Sequence, residues 1–156
     1  QAEVFWQQGE KDRALESLTV AIDCSSEPAA LLRKRARWHS AQGKRTAALD
    51  DLAAIRQPQP DDIAEKARLY YSLRRYQEAV EATHRALREQ PLHKTALRVQ
   101  AESLLELQRP KEAWAAFNRY LRQHRDADAY ARRARARGEC NDLPGVIDDY
   151  TQALAL

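Results

Sequence analysis

Residues Pro60–Arg125 read PDDIAEKARLYYSLRRYQEAVEATHRALREQPLHKTALRVQAESLLELQRPKEAWAAFNRYLRQHR. The stretch is one unit written twice. Ala67, Ala79 and Ala86 recur as Ala101, Ala113 and Tyr120, each displaced by 34 residues, and Ile63 and Tyr70 recur as Leu97 and Leu104 at the same step. Self-similarity at that period is the sequence signature of stacked helical hairpins. Each hairpin leaves one apolar face uncovered, and its neighbour covers it.

The same grammar extends outward. Upstream, Ala14 and Ala48 are also 34 residues apart, whereas Ala48 to Ala79 is 31, so the QPQP linker at 57–60 is three residues short. Downstream, Ala113 to Val146 is 33. Ala14, Leu18 and Ala21 share one helical face, as do Leu32, Ala36 and His39, and Ala48, Leu52 and Ile55. Gly9 and Gly43 break hairpins, and Pro28, Pro60 and Pro91 sit between units, where proline stops or starts helices. Ser25 and Ser26 offer a cap to the helix that follows.

Five units result, at approximately 1–26 (partial), 27–59, 60–93, 94–125 and 126–156, forming one array. The expected fold is all-α, a right-handed solenoid of about four and a half stacked helix–turn–helix repeats. With 44% hydrophobic and 31% charged residues in 156, the chain is a packed globular one rather than a disordered one. It holds no Met and opens inside a helix, so a piece of a longer chain is expected. Neither an apolar run long enough to span a membrane nor a targeting segment is present, and the compartment, cytoplasmic or bacterial periplasmic, stays open. Cys24 and Cys140 belong to the first and last units, too far apart for a disulfide.

Motifs that carry chemistry are missing. The sequence has no Gly-rich phosphate loop, no GxSxG and no HExxH. The four histidines lack metal-ligand spacing, and His39 falls on an apolar stripe. Asp50–Asp51, Asp61–Asp62 and Asp148–Asp149 are adjacent carboxylates, but neighbouring helix residues point about 100° apart. The first and third pairs occupy one place in the repeat, ALDDL against VIDDY. No catalytic residue, metal or cofactor is expected.

In its small residue amid each first helix (Ala36, Ala67, Ala101, Ala134) and its alanine opening each second helix (Ala14, Ala48, Ala79, Ala113), the chain resembles the tetratricopeptide repeat family. Val146 stands where the second-helix alanine is expected, and Arg125 departs from the repeat-end prolines that Pro28, Pro60 and Pro91 match. The resemblance implies a protein-interaction scaffold, in which one face of each first helix lines a concave groove. That face here is Arg33 and Arg37, Ala64 and Arg68, Arg98 and Glu102, Ala131 and Arg135. An acidic peptide or partner surface is therefore the expected ligand, with Arg33, Arg37, Arg68, Arg98 and Arg135 as contacts. The family's carboxylate-clamp pattern uses an Asn that these positions lack. Of the aromatics, Tyr70, Phe117, Tyr120, Tyr130 and Tyr150 lie on core stripes. Trp6, Trp38, Tyr71 and Trp114 lie off them, and Tyr71 is the candidate ligand contact.

Two other functions fit the sequence. Nucleic-acid or polyanion binding is raised by a pI near 9.0 and by 20 Arg among 26 basic residues. Against it, the net charge is only +3 and no basic tail exists. A structural or oligomerising spacer in a larger assembly, bacterial envelope or secretion machinery included, is the third. Solenoids need polar terminal units, yet this one finishes on Leu154–Ala155–Leu156, so self-association through uncapped ends is a further expectation.

Overall fold

A computed structural model describes residues 1–156. It is all-helical, with ten helices and no strand, and none is long and apolar enough to cross a membrane. The chain divides into two compact units, Gln1–Asp62 and Ile63–Leu156.

In the first unit, α1 (Ala2–Gln7), α2 (Lys11–Asp23), α3 (Ala29–Ala41) and α4 (Arg45–Ala53) pack in chain order. Their contact faces carry Ala14, Leu18, Leu32, Ala36, Ala48 and Leu52, all buried. Trp6 and Trp38, which lie off the apolar stripes, stack face to face at 4.4 Å between ring centres and so tie α1 to α3. Pro28 itself is the residue before α3, and the Ser25 hydroxyl accepts a hydrogen bond from the Glu27 amide instead of capping the helix. The short linker is absorbed by α4. It has 9 residues where α6 has 14, and Ile55 turns back into the core beyond its end.

The second unit holds most of α5 (Pro60–Ser72), then α6 (Tyr76–Glu89), α7 (Lys94–Glu106), α8 (Pro110–Leu121), α9 (Ala127–Glu139) and α10 (Leu143–Leu154). One continuous apolar cluster runs through it, from Ile63 and Ala67 to Phe117, Tyr120 and Ala136. Ala67, Ala79, Ala101 and Ala113 have no exposed surface. These are the places where helices cross closely, and a Leu there would overpack the crossing.

The turns inside the hairpins repeat as faithfully as the core. Left-handed backbone occurs at Gly9, Gly43, Arg74, Gln108 and Asn141, one per repeat and each five residues before Ala14, Ala48, Ala79, Ala113 and Val146. Glycine adopts this conformation freely, and the other three pay a steric cost for it. Asp126 and Asp142 accept hydrogen bonds from the Ala129 and Gly145 amides at the starts of α9 and α10. Buried His93 does the same for Ala96 at the start of α7, through Nδ1.

One expectation about the core fails. Tyr150 is half exposed, because no helix packs on that face of α10. Phe117 and Tyr120 are fully buried, while Tyr70 and Tyr130 lie partly buried against the cluster.

Candidate functional site

The sequence places two of its six candidate contacts in the first unit. On α3, Arg33 reaches Asp62 in a two-pronged pair, Nε–Oδ1 2.7 Å and Nη2–Oδ2 2.8 Å. The Asp62 carboxylate is buried, which alone would raise its pKa. The Arg33 guanidinium and the Gln59 amide outweigh that and hold it below the ordinary carboxylate value. Arg37, one turn further along, is exposed and makes no ion pair.

Three of the other four converge in the second unit. Arg68 and Tyr71 from α5, with Lys94, Thr95, Arg98, Val99 and Glu102 from α7, line a cleft of about 180 Å³ closed by Tyr120. The geometry follows from helical spacing: Arg68 and Tyr71 are three residues apart on α5, and Lys94, Arg98 and Glu102 are four apart on α7, so each set shares a face. Val99 and the Tyr71 ring give the cleft an apolar wall. Burial, then the charge of Glu102, raises the Tyr71 pKa, so the phenol stays protonated. The positive charge of Arg132 works against that rise without cancelling it.

Arg98 is a hub. It donates to Glu102 at 2.9 Å, to Asp126 at 2.9 Å and to Asp128 at 2.7 Å. Burial opposes its charge, but the Glu102 and Asp126 carboxylates more than compensate and raise its pKa. Asp126 also accepts from the Tyr120 hydroxyl at 2.9 Å. Arg33 and Arg98 occupy one place in the repeat and do one job: each grips an aspartate at the start of the next first helix. Both arginines are committed to the fold.

The outer candidates are held more loosely. Arg68 pairs with Glu65 within one turn at 2.8 Å, and Arg135 with Glu139 at 3.2 Å and Glu106 at 3.9 Å. Exposed pairs of this kind contribute about 0–1 kcal/mol, so an incoming carboxylate can take over either guanidinium. Of the two alanines expected on this face, Ala64 is buried in the core and Ala131 is half-buried. Counting Arg68, Lys94, Arg98, Arg132 and Arg135 against Glu65, Glu102, Glu106, Asp126, Asp128 and Glu139, cations and acids nearly balance. The face is a charge lattice rather than a uniform basic field.

Sequence reasoning missed two features. Lys94 in the cleft carries no ion pair, and it lies one turn before Arg98 on the same face, a spacing open to view. The second is a clamp inside two hairpins. Arg35 bonds Asp51 at 2.6–3.1 Å, and Arg133 bonds Asp149 at 2.9 Å through Nε. Both pairs are 16 residues apart, which is the signal that finds them. The adjacent aspartates thereby have structural roles: Asp51, Asp62 and Asp149 are each buried on an arginine while Asp50, Asp61 and Asp148 are exposed. The Arg132–Arg137 run is likewise engaged, each of its four arginines pairing with an acid. Burial lowers the pKa of His39, leaving it neutral beside Asp51 at 3.8 Å. No group of three His, Cys, Asp or Glu side chains is placed to hold a metal.

Comparison with known proteins points one way. Residues 65–128 match the family model described as tetratricopeptide repeat. No match appears among curated protein sequences. Among solved structures, MamA aligns with a TM-score of 0.90 at 13% identity, over 99% of this chain and 92% of its own. A tetratricopeptide repeat protein from Parabacteroides merdae aligns at 0.85 and 20%, over 99% of this chain and 63% of its own. YrrB, described as having an unusual peptide-binding site, aligns at 0.84 and 16%, over 99% and 81%. At these identities the likeness establishes the fold.

Proposed function

We propose that this tetratricopeptide-repeat chain, by its fold a protein-interaction scaffold, holds an extended acidic segment of a partner protein along the face of its first helices. The cleft at Arg68, Tyr71 and Lys94 is the anchor, and the chain carries out no chemistry of its own. The observation that supports this most is the convergence of an unpaired ammonium (Lys94), an exchangeable guanidinium (Arg68) and a half-buried phenol (Tyr71) around one cleft of about 180 Å³, room for a single side chain. A glutamate or aspartate there would lay its stem on the Tyr71 ring and Val99 and its carboxylate between Lys94 and Arg68. Arg135 offers a second contact on α9, and exposed Arg37, in the first unit, is a candidate contact by itself. Arg33 contributes by fixing the start of α5, and Arg98 fixes the start of α9 while also lining the cleft.

Internal pairing of the arginines favours a protein over a nucleic acid. A polyanion needs several free cations in a row, and here most guanidinium groups already hold a carboxylate. The test is fluorescence anisotropy with a short fluorescein-labelled glutamate-rich peptide and, separately, a labelled single-stranded oligonucleotide. The expected result is saturable peptide binding that Lys94→Glu/Arg68→Glu weakens at least tenfold, about 1.4 kcal/mol. Tighter oligonucleotide binding, with affinity falling steeply in log[salt], would overturn the proposal.

A further inference from the structure

Four arginines of the second unit hold no carboxylate, and the repeat register brings them together. Arg85 and Arg88 on α6 recur 34 residues on as Arg119 on α8 and Arg122 at its end. The members of each pair are three residues apart and so share one helical face. All four are exposed. Arg75 and Arg109, which precede the same two helices, are by contrast each held by a glutamate, Glu78 and Glu112. Arg119 donates from Nη2 to the Pro91 carbonyl at 3.4 Å, which sets the α8 pair beside the end of α6, where Arg88 lies. Both helices are covered by α7, and α8 by α9 as well, so the four are exposed in repeats whose neighbours are in place.

The positive charge is not offset locally. Of the acids on α6 and α8, Glu81 is held by Gln77, Glu78 and Glu112 by Arg75 and Arg109, and Glu89 is left against the four cations. Lys66 on α5 adds to them: burial, then the charge of Arg85, lowers its pKa, with no carboxylate offsetting either. At the equivalent places the repeats before and after have Ala54 and Gln57, and Gln152 and Ala155, so the lattice is confined to two adjacent repeats. Two pairs side by side make a patch rather than a line. A nucleic-acid strand is held along a line of cations with aromatic rings for its bases, and no aromatic ring on α6 or α8 is exposed. Beside the patch, directly after Pro91, Leu92 is 58% exposed. Guanidinium groups spread over an area and bordered by an apolar side chain match a bilayer containing anionic lipids, which offers phosphates over an area with hydrocarbon just beneath.

We propose that α6 and α8 dock this unit on an anionic membrane surface, with Arg85, Arg88, Arg119 and Arg122 on lipid phosphates and Leu92 entering the headgroup layer. The patch lies on second helices and shares no residue with the first-helix cleft.

The test is co-sedimentation of the whole chain with vesicles of phosphatidylcholine alone and of phosphatidylcholine with an equal part of phosphatidylglycerol. Binding to the anionic vesicles alone, weakening with salt, is the expected result. Near an anionic surface each arginine is worth about fivefold in partitioning, so Arg85→Gln/Arg119→Gln should lower it about thirtyfold with the circular dichroism unchanged. Arg45→Gln/Arg56→Gln, which removes the same charge from exposed positions of the first unit, should leave it near wild type. Leu92→Gln should weaken it severalfold and leave its salt dependence in place. Equal binding to both vesicles, none included, or equal losses from the two double variants would overturn the proposal. So would an oligonucleotide that strips the chain from the anionic vesicles at matched phosphate concentration, since the partner would then be a nucleic acid.

Discussion

Four helical hairpins of this chain solve one packing problem in two ways. In α3–α4 and α9–α10 an arginine on the first helix grips a buried aspartate on the second, Arg35 on Asp51 and Arg133 on Asp149. In α5–α6 and α7–α8 the same two places hold Lys66 with Ala82 and Gln100 with Ala116. Both alanines are buried in the apolar cluster. The crossing demands a shape, and either chemistry fills it when both partners change together. Removing one partner alone is a different matter, because burying an unpaired charge costs several kcal/mol.

The largest effect follows directly. Asp149→Ala takes from Arg133 and Arg137, with side chains only 14% and 16% exposed, the carboxylate they share, and should lose about 3–5 kcal/mol in chemical denaturation. Arg133→Gln/Asp149→Ala, which installs the pair found at 100 and 116, should recover most of that loss. Equal instability of the single and double variants would break the comparison.

Next come the two glycines around the same clamp. A Cβ on Gly145 would sit 2.1 Å from the Asp142 carboxylate and 2.7 Å from Arg137, so Gly145→Ala should cost about 1–3 kcal/mol. A Cβ on Gly138 meets only Val146 at 3.7 Å, and Gly138→Ala should be neutral or stabilise by up to about 1 kcal/mol. Melting curves of the two variants that coincide would remove Asp142 and Arg137 as the cause.

Acid sharpens the contrast between clamps within a hairpin and those that link successive first helices. Burial raises the pKa values of Asp62 and Asp126. For Asp62, hydrogen bonds from Arg33 and the Gln59 amide overcome this. For Asp126 the Ala129 amide and the Tyr120 hydroxyl do so, and both carboxylates end up lower than in the unfolded chain. Groups shifted that way stabilise the fold above the unfolded value, about 3.9, and lose their contribution as pH falls through the lower folded values. Stability should drop below about pH 4, less steeply in Arg33→Met for the first unit. A profile unchanged by Arg33→Met would separate Asp62 from the acid response.

The smallest effect concerns the turns. The first unit spends glycine on its left-handed positions and the second uses Arg74, Gln108 and Asn141. Gln108→Gly should stabilise by about 0.5–1 kcal/mol, and Gly43→Ala should destabilise by about as much. Thermal melts that move in the opposite directions would contradict the assignment.

The fold was legible because its signal is periodic. The alanines at 14, 48, 79 and 113 repeat in step, and the left-handed turns repeat with them. What periodicity cannot show is which charged partner a side chain chooses. Arg98 and Arg68 look alike in sequence, yet one holds three carboxylates, two of them at the start of α9, and the other pairs with Glu65 a turn away on its own helix, because only Arg98 faces the start of α9. The same limit explains Tyr150. Its place in the repeat is a core place, and exposure follows from what packs on α10, which the residue itself does not encode. Lys94 was within reach, since a lysine one turn before Arg98 on the same face needed only the register to find it.

The most direct test of the central claim is a nuclease-treated pull-down from the source lysate. The wild-type chain is compared with Arg68→Glu/Lys94→Glu/Arg135→Glu, its helicity matched by circular dichroism. Proteins bound by the wild type and lost from the variant, with acidic segments that compete for binding as peptides, are the predicted result. Identical partners on both baits would contradict it, leaving these cations as solvated surface and the cleft without a ligand.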